Sequence, residues 1–186
     1  MTKRDDLTEA ATDYALAHGL IGLSLRPLAA ELGTSDRMLI YHFGSKDELV
    51  AAVLEASNTR SMAYIDAMAP AASLGKAVLA LWATYTEHDQ VQRCQRMYVE
   101  AAALGLLGRE PYASSIRASN ALWIRTLSAY LERSGVTATR APGIANLIDA
   151  TFNGVFLDRP LDDEAESRQI VQDLASALDR PQLGNE

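Results

Sequence analysis

The chain has 186 residues, 48% of them apolar and 22% charged, enough for one well-filled domain or for a small head on a larger body. A single cysteine, Cys94, excludes an internal disulfide framework and suits a reducing compartment, so a cytoplasmic protein is expected. The formal net charge of −7 argues against avid, sequence-blind binding to nucleic acid but leaves specific binding open, which depends on where cations, hydroxyls and helix N-termini meet phosphates.

The amino terminus, MTKRDDLTEAATDYALA, is too charged for a signal peptide, and no apolar run reaches membrane-spanning length, so no membrane association is expected. Gly and Pro fall as isolated punctuation between segments of helical spacing, and alternating β-branched runs are lacking. The pattern predicts an all-α protein of about nine helices. The first runs from about Lys3 to His18, with Leu7, Ala10, Ala11 and Tyr14 on its inner face and Gly19 as its stop. Ser24 caps a second helix that turns Leu25, Leu28, Ala29 and Leu32 inward and tolerates Pro27 in its first turn. Ser35 caps a third that ends at Gly44. Ser45 and Glu48 then form a capping box for a fourth, which extends to about Met68 and spans roughly 35 Å at ~1.5 Å per residue.

A fifth helix is predicted over Ser73–Glu87 and a sixth over about Gln90–Leu107. The Arg109–Pro111 turn introduces a seventh that ends near Ser134–Gly135. The eighth spans roughly Arg140–Leu157, with Pro142 in its first turn. Asp162, Asp163 and Glu164 suit the positive end of a ninth, which ends near Leu178 before Pro181.

The segment Leu25–Lys46, LRPLAAELGTSDRMLIYHFGSK, is the most informative. Two short helices around a tight turn are the layout of a helix-turn-helix, whose second helix enters the major groove of DNA. Ala29 is small enough for close helix approach, Gly33 takes a left-handed backbone without a Cβ penalty, and Leu39 plugs the space between the helices. Arg37 and Met38, early in the second helix, can bond guanine and touch a thymine methyl. Thr34 and Ser35 at its N-terminus favour phosphate. Against this, residues 1–60 hold six Lys/Arg and nine Asp/Glu, a sum of −3. Tyr41 and Phe43 also fit a core, and His42 and Lys46 a solvated surface.

The stretch LSLRPLAAELGTSDRMLIYHFGSKDELVAAVLEA, Leu23–Ala56, resembles the TetR family of one-component bacterial transcriptional regulators. The resemblance in motif covers about the first third of the chain. It departs at Ile40, where many members carry an aromatic residue. It implies a helix-turn-helix DNA-binding domain over residues 1–46 and a ligand-binding and dimerisation domain over 47–186, with 47–68 as the connecting helix. It further implies that Tyr41, His42 and Lys46 touch the DNA backbone, with Lys3 and Arg4 adding contacts from the leading arm.

Two helices carry apolar stripes: Ile144, Leu147, Ile148, Thr151 and Val155 on one, and Ile170, Val171, Leu174, Ala177 and Leu178 on the other. Each could face its own core; the resemblance favours a homodimer interface built as a four-helix bundle. Trp82, Tyr85, Tyr98, Asn120, Trp123 and Phe152, with further aromatics nearby, fit either core or a small-molecule pocket, and the resemblance favours a pocket. His88 and Glu100 are candidate polar anchors for it. A ligand-responsive regulator is expected, a repressor by default, binding a palindromic operator and released by an unknown effector. The rival reading is a helical small-molecule-binding protein without DNA-binding activity. No enzyme is expected, and no cofactor or metal. His18, His42 and His88 are scattered, His88 and Cys94 are wrongly spaced for one helix face, and GxSxG and phosphate-cradling glycine motifs are missing.

Overall fold

The first helix, α1 (Lys3–His18), starts on a capping box. Thr2 accepts from the Asp5 N–H at 3.2 Å, and Asp5 accepts from the Thr2 N–H at 2.7 Å. It stops where Gly19 takes φ +85° and returns its N–H to Ala15 at 2.8 Å. The remaining helices are α2 (Leu25–Glu31), α3 (Asp36–Phe43), α4 (Lys46–Asp66), α5 (Leu74–Glu87), α6 (Asp89–Leu106), α7 (Tyr112–Arg133), α8 (Ala141–Asp158) and α9 (Glu164–Asp179). This computed structural model describes residues 2–158 and 164–179, with the side chain of Glu164 left aside. Among the described residues there are nine helices and no strand, the all-α architecture that the apolar spacing predicts. Asp162, Asp163 and Pro181, expected to bound the last helix, lie outside the described residues.

The chain forms two compact units. The first comprises Met1–Ala63 with Asp89–Ala121, and the second comprises Tyr64–His88 with Leu122–Glu186. In the first unit, Leu7, Ala11, Leu20, Leu28, Leu39, Leu49 and Val53 share one core with Met97 and Ala101 of α6. Arg60 of α4 bonds both Glu9 and Asp13 of α1, the latter at 2.6 Å, and so ties the two helices across their polar edges.

In the second unit, α5 and α9 approach closely because Gly75 has no side chain. A Cβ there would lie 2.8 Å from the Ala175 carbonyl oxygen. The Asp179 carboxylate closes the contact, accepting from the Gly75 N–H at 2.6 Å and the Ser73 hydroxyl at 2.9 Å. An acid at the start of α5 also meets the positive end of that helix's dipole. Val78, Leu81, Leu127, Leu131, Ile148 and Val171 are buried in this unit.

Candidate nucleic-acid interface

The turn between α2 and α3 is built by backbone rather than by side chains. Leu32 donates to Leu28 at 3.0 Å, Gly33 follows at φ +62°, and the Thr34 N–H returns to the Ala29 carbonyl at 2.9 Å. A left-handed residue here costs a Cβ-bearing side chain ~1–2 kcal/mol. Ser35 then takes extended backbone and its Oγ accepts from the Met38 N–H at 3.2 Å, starting α3. Asp36 accepts from the Arg37 N–H at 2.9 Å and lies in the first turn, where its charge suits the dipole. Gly44, at φ +87°, ends α3 by donating to Ile40 at 2.7 Å.

Spacing then decides which side chains are held and which are offered. Leu39 and Phe43, four apart, are buried against Leu28 and Ala29 and lock the helix down. Ser35, Arg37, Met38 and Tyr41 are exposed, with Tyr41 retaining 77% of its surface. Thr34 and His42 are half-buried, and the Tyr41 and His42 rings meet edge to face at 5.2 Å. Lys46 is exposed in the first turn of α4, which Ser45 caps by accepting from Glu48 at 3.0 Å. Lys3 and Arg4 belong to the first turn of α1, and the Arg4 guanidinium sits 5.2 Å from the Phe43 ring, at the carboxyl end of α3.

Of the nine acidic residues among the first 60, Asp36, Asp47 and Glu48 are exposed in the first turns of α3 and α4. Two others, Glu9 and Asp13, are engaged by Arg60. Arg26, Arg37 and Lys46 are exposed, and none of them forms an ion pair among the described residues.

The aromatic residues divide between the two units. In the first, Tyr98 donates to the Asn120 side-chain oxygen at 3.0 Å. In the second, Trp82, Phe152, Tyr85 and Trp123 form a chain of edge-to-face rings with centroids 5.1, 5.3 and 5.9 Å apart. Asp149 of α8 joins its end, accepting from Trp123 and from Asn153. Burial pushes its carboxyl up to about 6, and those two bonds pull only partly back. Sequence reasoning passed over Asp149, although it is one of only two charged residues in α8.

Glu100 lies in the first unit and has a different task from a pocket anchor. Its Oε2 accepts from the Leu20 N–H at 2.6 Å and the Ile21 N–H at 2.7 Å, clasping the turn between α1 and α2 from α6. The His88 ring lies tilted against that of Tyr64 in the second unit, with centroids 5.2 Å apart. Of the apolar stripes, Ile144, Ile148, Val155 and Val171 are buried within the second unit. Thr151, Leu174 and Leu178 are half-buried, and Leu147 and Ile170 are exposed. No helix among the described residues is long and apolar enough to cross a membrane.

A short capped helix pinned by two apolar residues, with its polar and aromatic face turned out, defines a helix-turn-helix protein of all-α build. Residues 7–53 match the family model described as bacterial regulatory proteins, tetR family. This amino-terminal region is thus similar to the TetR family of regulators.

Among curated relatives, it is 33% identical over 72 residues to the HTH-type transcriptional repressor Rv3405c of Mycobacterium tuberculosis, covering 39% of this chain and 38% of that protein. It is 30% identical over 92 residues to the HTH-type transcriptional repressor NicS of Pseudomonas putida, covering 47% and 43%. The matches thus span less than half the length of these relatives.

The fold extends further. A transcriptional regulator from Rhodococcus sp. Rha1 superposes with TM-score 0.74 at 23% identity over 95% of this chain and 96% of that one. The multidrug binding protein EbrR complexed with imidazole does so with TM-score 0.71 at 22% identity over 100% and 99%.

Proposed function

We propose that the chain is a ligand-responsive transcriptional regulator, by default a repressor, that binds a palindromic DNA operator as a homodimer and is released by a small-molecule effector. The observation that carries the reading is the division of α3 into a buried pair, Leu39 and Phe43, and an exposed set, Arg37, Met38 and Tyr41. A helix held by its inner face and uncovered on its outer face is what major-groove readout needs. In this reading residues 1–46 meet DNA. Arg37 and Met38 reach base edges, while Thr34, Ser35, Tyr41, His42 and Lys46 meet the backbone. Residues 47–186 bind effector and partner, with α4, which ends at Asp66 rather than Met68, as the connecting helix.

A single head reads too few base pairs, so two copies about one helical turn (~34 Å) or more apart are required. The exposed Leu147 of α8 and Ile170 of α9 support a two-fold interface on those helices. An effector that prefers one head spacing shifts the dimer between binding states, and coupling of about 1–3 kcal/mol changes operator affinity roughly 5- to 150-fold. The names of the relatives, two repressors and one multidrug binding protein, support the same assignment.

The test is fluorescence anisotropy on the adjacent promoter. Lys46→Ala should weaken all sequences alike and flatten the salt dependence. Arg37→Ala should relax preference at one base pair, each at about 1–3 kcal/mol. The net acidity of residues 1–60 favours one competing reading, a helical small-molecule-binding protein that does not bind DNA. A parent protein that leaves its promoter unshifted, or variants that bind as well as the parent, would establish that reading instead.

A further inference from the structure

The sulfur atoms of the chain are unequally placed. Met97 shares the core of Leu28 and Leu39, and Met62 is buried in α4. Met68 is half-buried, and its sulfur receives the Thr84 hydroxyl at 3.7 Å. The Cys94 thiol is buried, with the Gln90 side-chain amide 3.8 Å from its sulfur. Met38 alone among the described methionines is exposed, keeping 42% of its surface, and it stands on the outer face of α3. Its backbone is held. The Met38 N–H donates to Ser35 Oγ at 3.2 Å, and the next residue, Leu39, is fully buried. A change at the Met38 sulfur therefore alters the face of the helix without reaching the packing that positions it.

A thioether is apolar and polarisable, whereas a sulfoxide is polar and accepts hydrogen bonds without donating any. In the major groove thymine presents its methyl group and the acceptor O4. A sulfoxide laid there sets a polar group against the methyl and an acceptor against an acceptor, and it leaves water without a partner in exchange. We propose that Met38 is an oxidation site: a hydroperoxide converts it to the sulfoxide, and operator affinity falls until a methionine sulfoxide reductase restores the thioether. The sulfur lone pair attacks one peroxide oxygen. The S–O bond forms as the O–O bond breaks, and sulfur gives up two electrons. The proton of the transferred oxygen passes to the leaving oxygen, which departs from hydrogen peroxide as water. The proposal rests on the reading that α3 enters the major groove, and it gives that helix an oxidant input separate from any effector.

The experiment treats the full chain with hydrogen peroxide and follows two readouts on the same samples: tryptic peptide mapping by mass spectrometry and operator affinity by fluorescence anisotropy. The peptide 38–46, MLIYHFGSK, should gain one oxygen ahead of the peptides that hold Met62, Met68 and Met97. Operator affinity should fall about 10- to 100-fold as it does so, with circular dichroism unchanged. Methionine sulfoxide reductases A and B together should restore affinity, and dithiothreitol alone should not, which separates Met38 from Cys94. Met38→Leu, compared with itself before and after peroxide, should show no loss. If that variant has no measurable affinity to begin with, the peptide map and the reductase reversal in the parent decide. The proposal is overturned if another methionine oxidises first, if protein oxidised at Met38 binds operator undiminished, if dithiothreitol alone restores binding, or if Met38→Leu loses affinity on treatment as the parent does. An untreated parent that ignores its promoter refutes the regulator and, with it, this control over DNA. A parent that binds operator and keeps its grip when Met38 is oxidised has lost only this proposal.

Discussion

Removing the Glu100 carboxylate should loosen the helix-turn-helix head from a distance of 80 residues in sequence. Leu20 is fully buried, and its N–H donates to Glu100 Oε2 at 2.6 Å; the Ile21 N–H donates to the same oxygen at 2.7 Å from an exposed residue. In Glu100→Ala the Leu20 N–H is left without an acceptor in a dry place, at about 1–3 kcal/mol. The Ile21 N–H regains water at about 1 kcal/mol or less, so the total is about 2–4 kcal/mol. In Glu100→Gln one neutral oxygen can stand where Oε2 stood. Only the charge assistance is lost, roughly half the strength of each bond, or about 1–2 kcal/mol. Urea unfolding of the full chain should rank parent above Gln above Ala. Hydrogen exchange of the amides at positions 20 and 21 should accelerate in the same order, and operator affinity should fall with it. Equal midpoints for Ala and Gln, or unchanged exchange at those two amides in Glu100→Ala, would refute the clasp.

Gly33 gives a cleaner backbone test. A Cβ there meets nothing within 4 Å, so Gly33→Ala should cost only the left-handed penalty of ~1–2 kcal/mol, Gly33→Asn less and Gly33→Val more, as read from denaturation midpoints. Equal costs for Asn and Val would show that packing, not φ, sets the turn. Asp149→Asn should also change stability with a defined pH profile. The folded carboxyl titrates at about 6 against the ordinary 3.8. Burial of its charge therefore destabilises the parent fully above about 6, less as pH falls through that window, and not at all below 3.8. Asp149→Asn should be more stable than the parent at pH 7.5 by up to about 3 kcal/mol, a limit that solvent screening reduces, and equal to it below the window. A gain that is flat across pH, or a loss at pH 7.5, would contradict the burial of an ionised group.

The local part of this architecture was legible in the sequence because its signals are local. Gly19, Ser35, Gly44 and the Ser45–Glu48 pair each act on backbone within four residues, and the boundaries of α1 and α3 follow from them. Leu39 and Phe43 were readable as inward because they sit four apart, and Ala29 and Gly33 because a tight turn admits few residue types. The contacts that needed the folded chain are the long-range ones. Nothing around Leu20 announces a carboxylate from α6, and nothing in Ser73-Leu74-Gly75 announces Asp179. A list of aromatics taken from sequence also cannot know that Tyr98 and Asn120 belong to one unit while Trp82, Tyr85, Trp123 and Phe152 belong to the other. Asp149 lay in between. The signal was an acid inside the run GIANLIDATFNGVF, and its meaning came only with the rings beside it.

Met97 and Ala101 sit in the same apolar cluster as Leu7, Leu28, Leu39 and Leu49. The helix-turn-helix module is therefore sewn from two separated pieces of chain, and it is not a portable cassette. A chimera spliced after residue 46, or even after 63, would carry the reading helix away with part of its hydrophobic support left behind. Grafts that transplant 89–121 along with the amino-terminal piece should keep their grip on DNA where shorter grafts lose it.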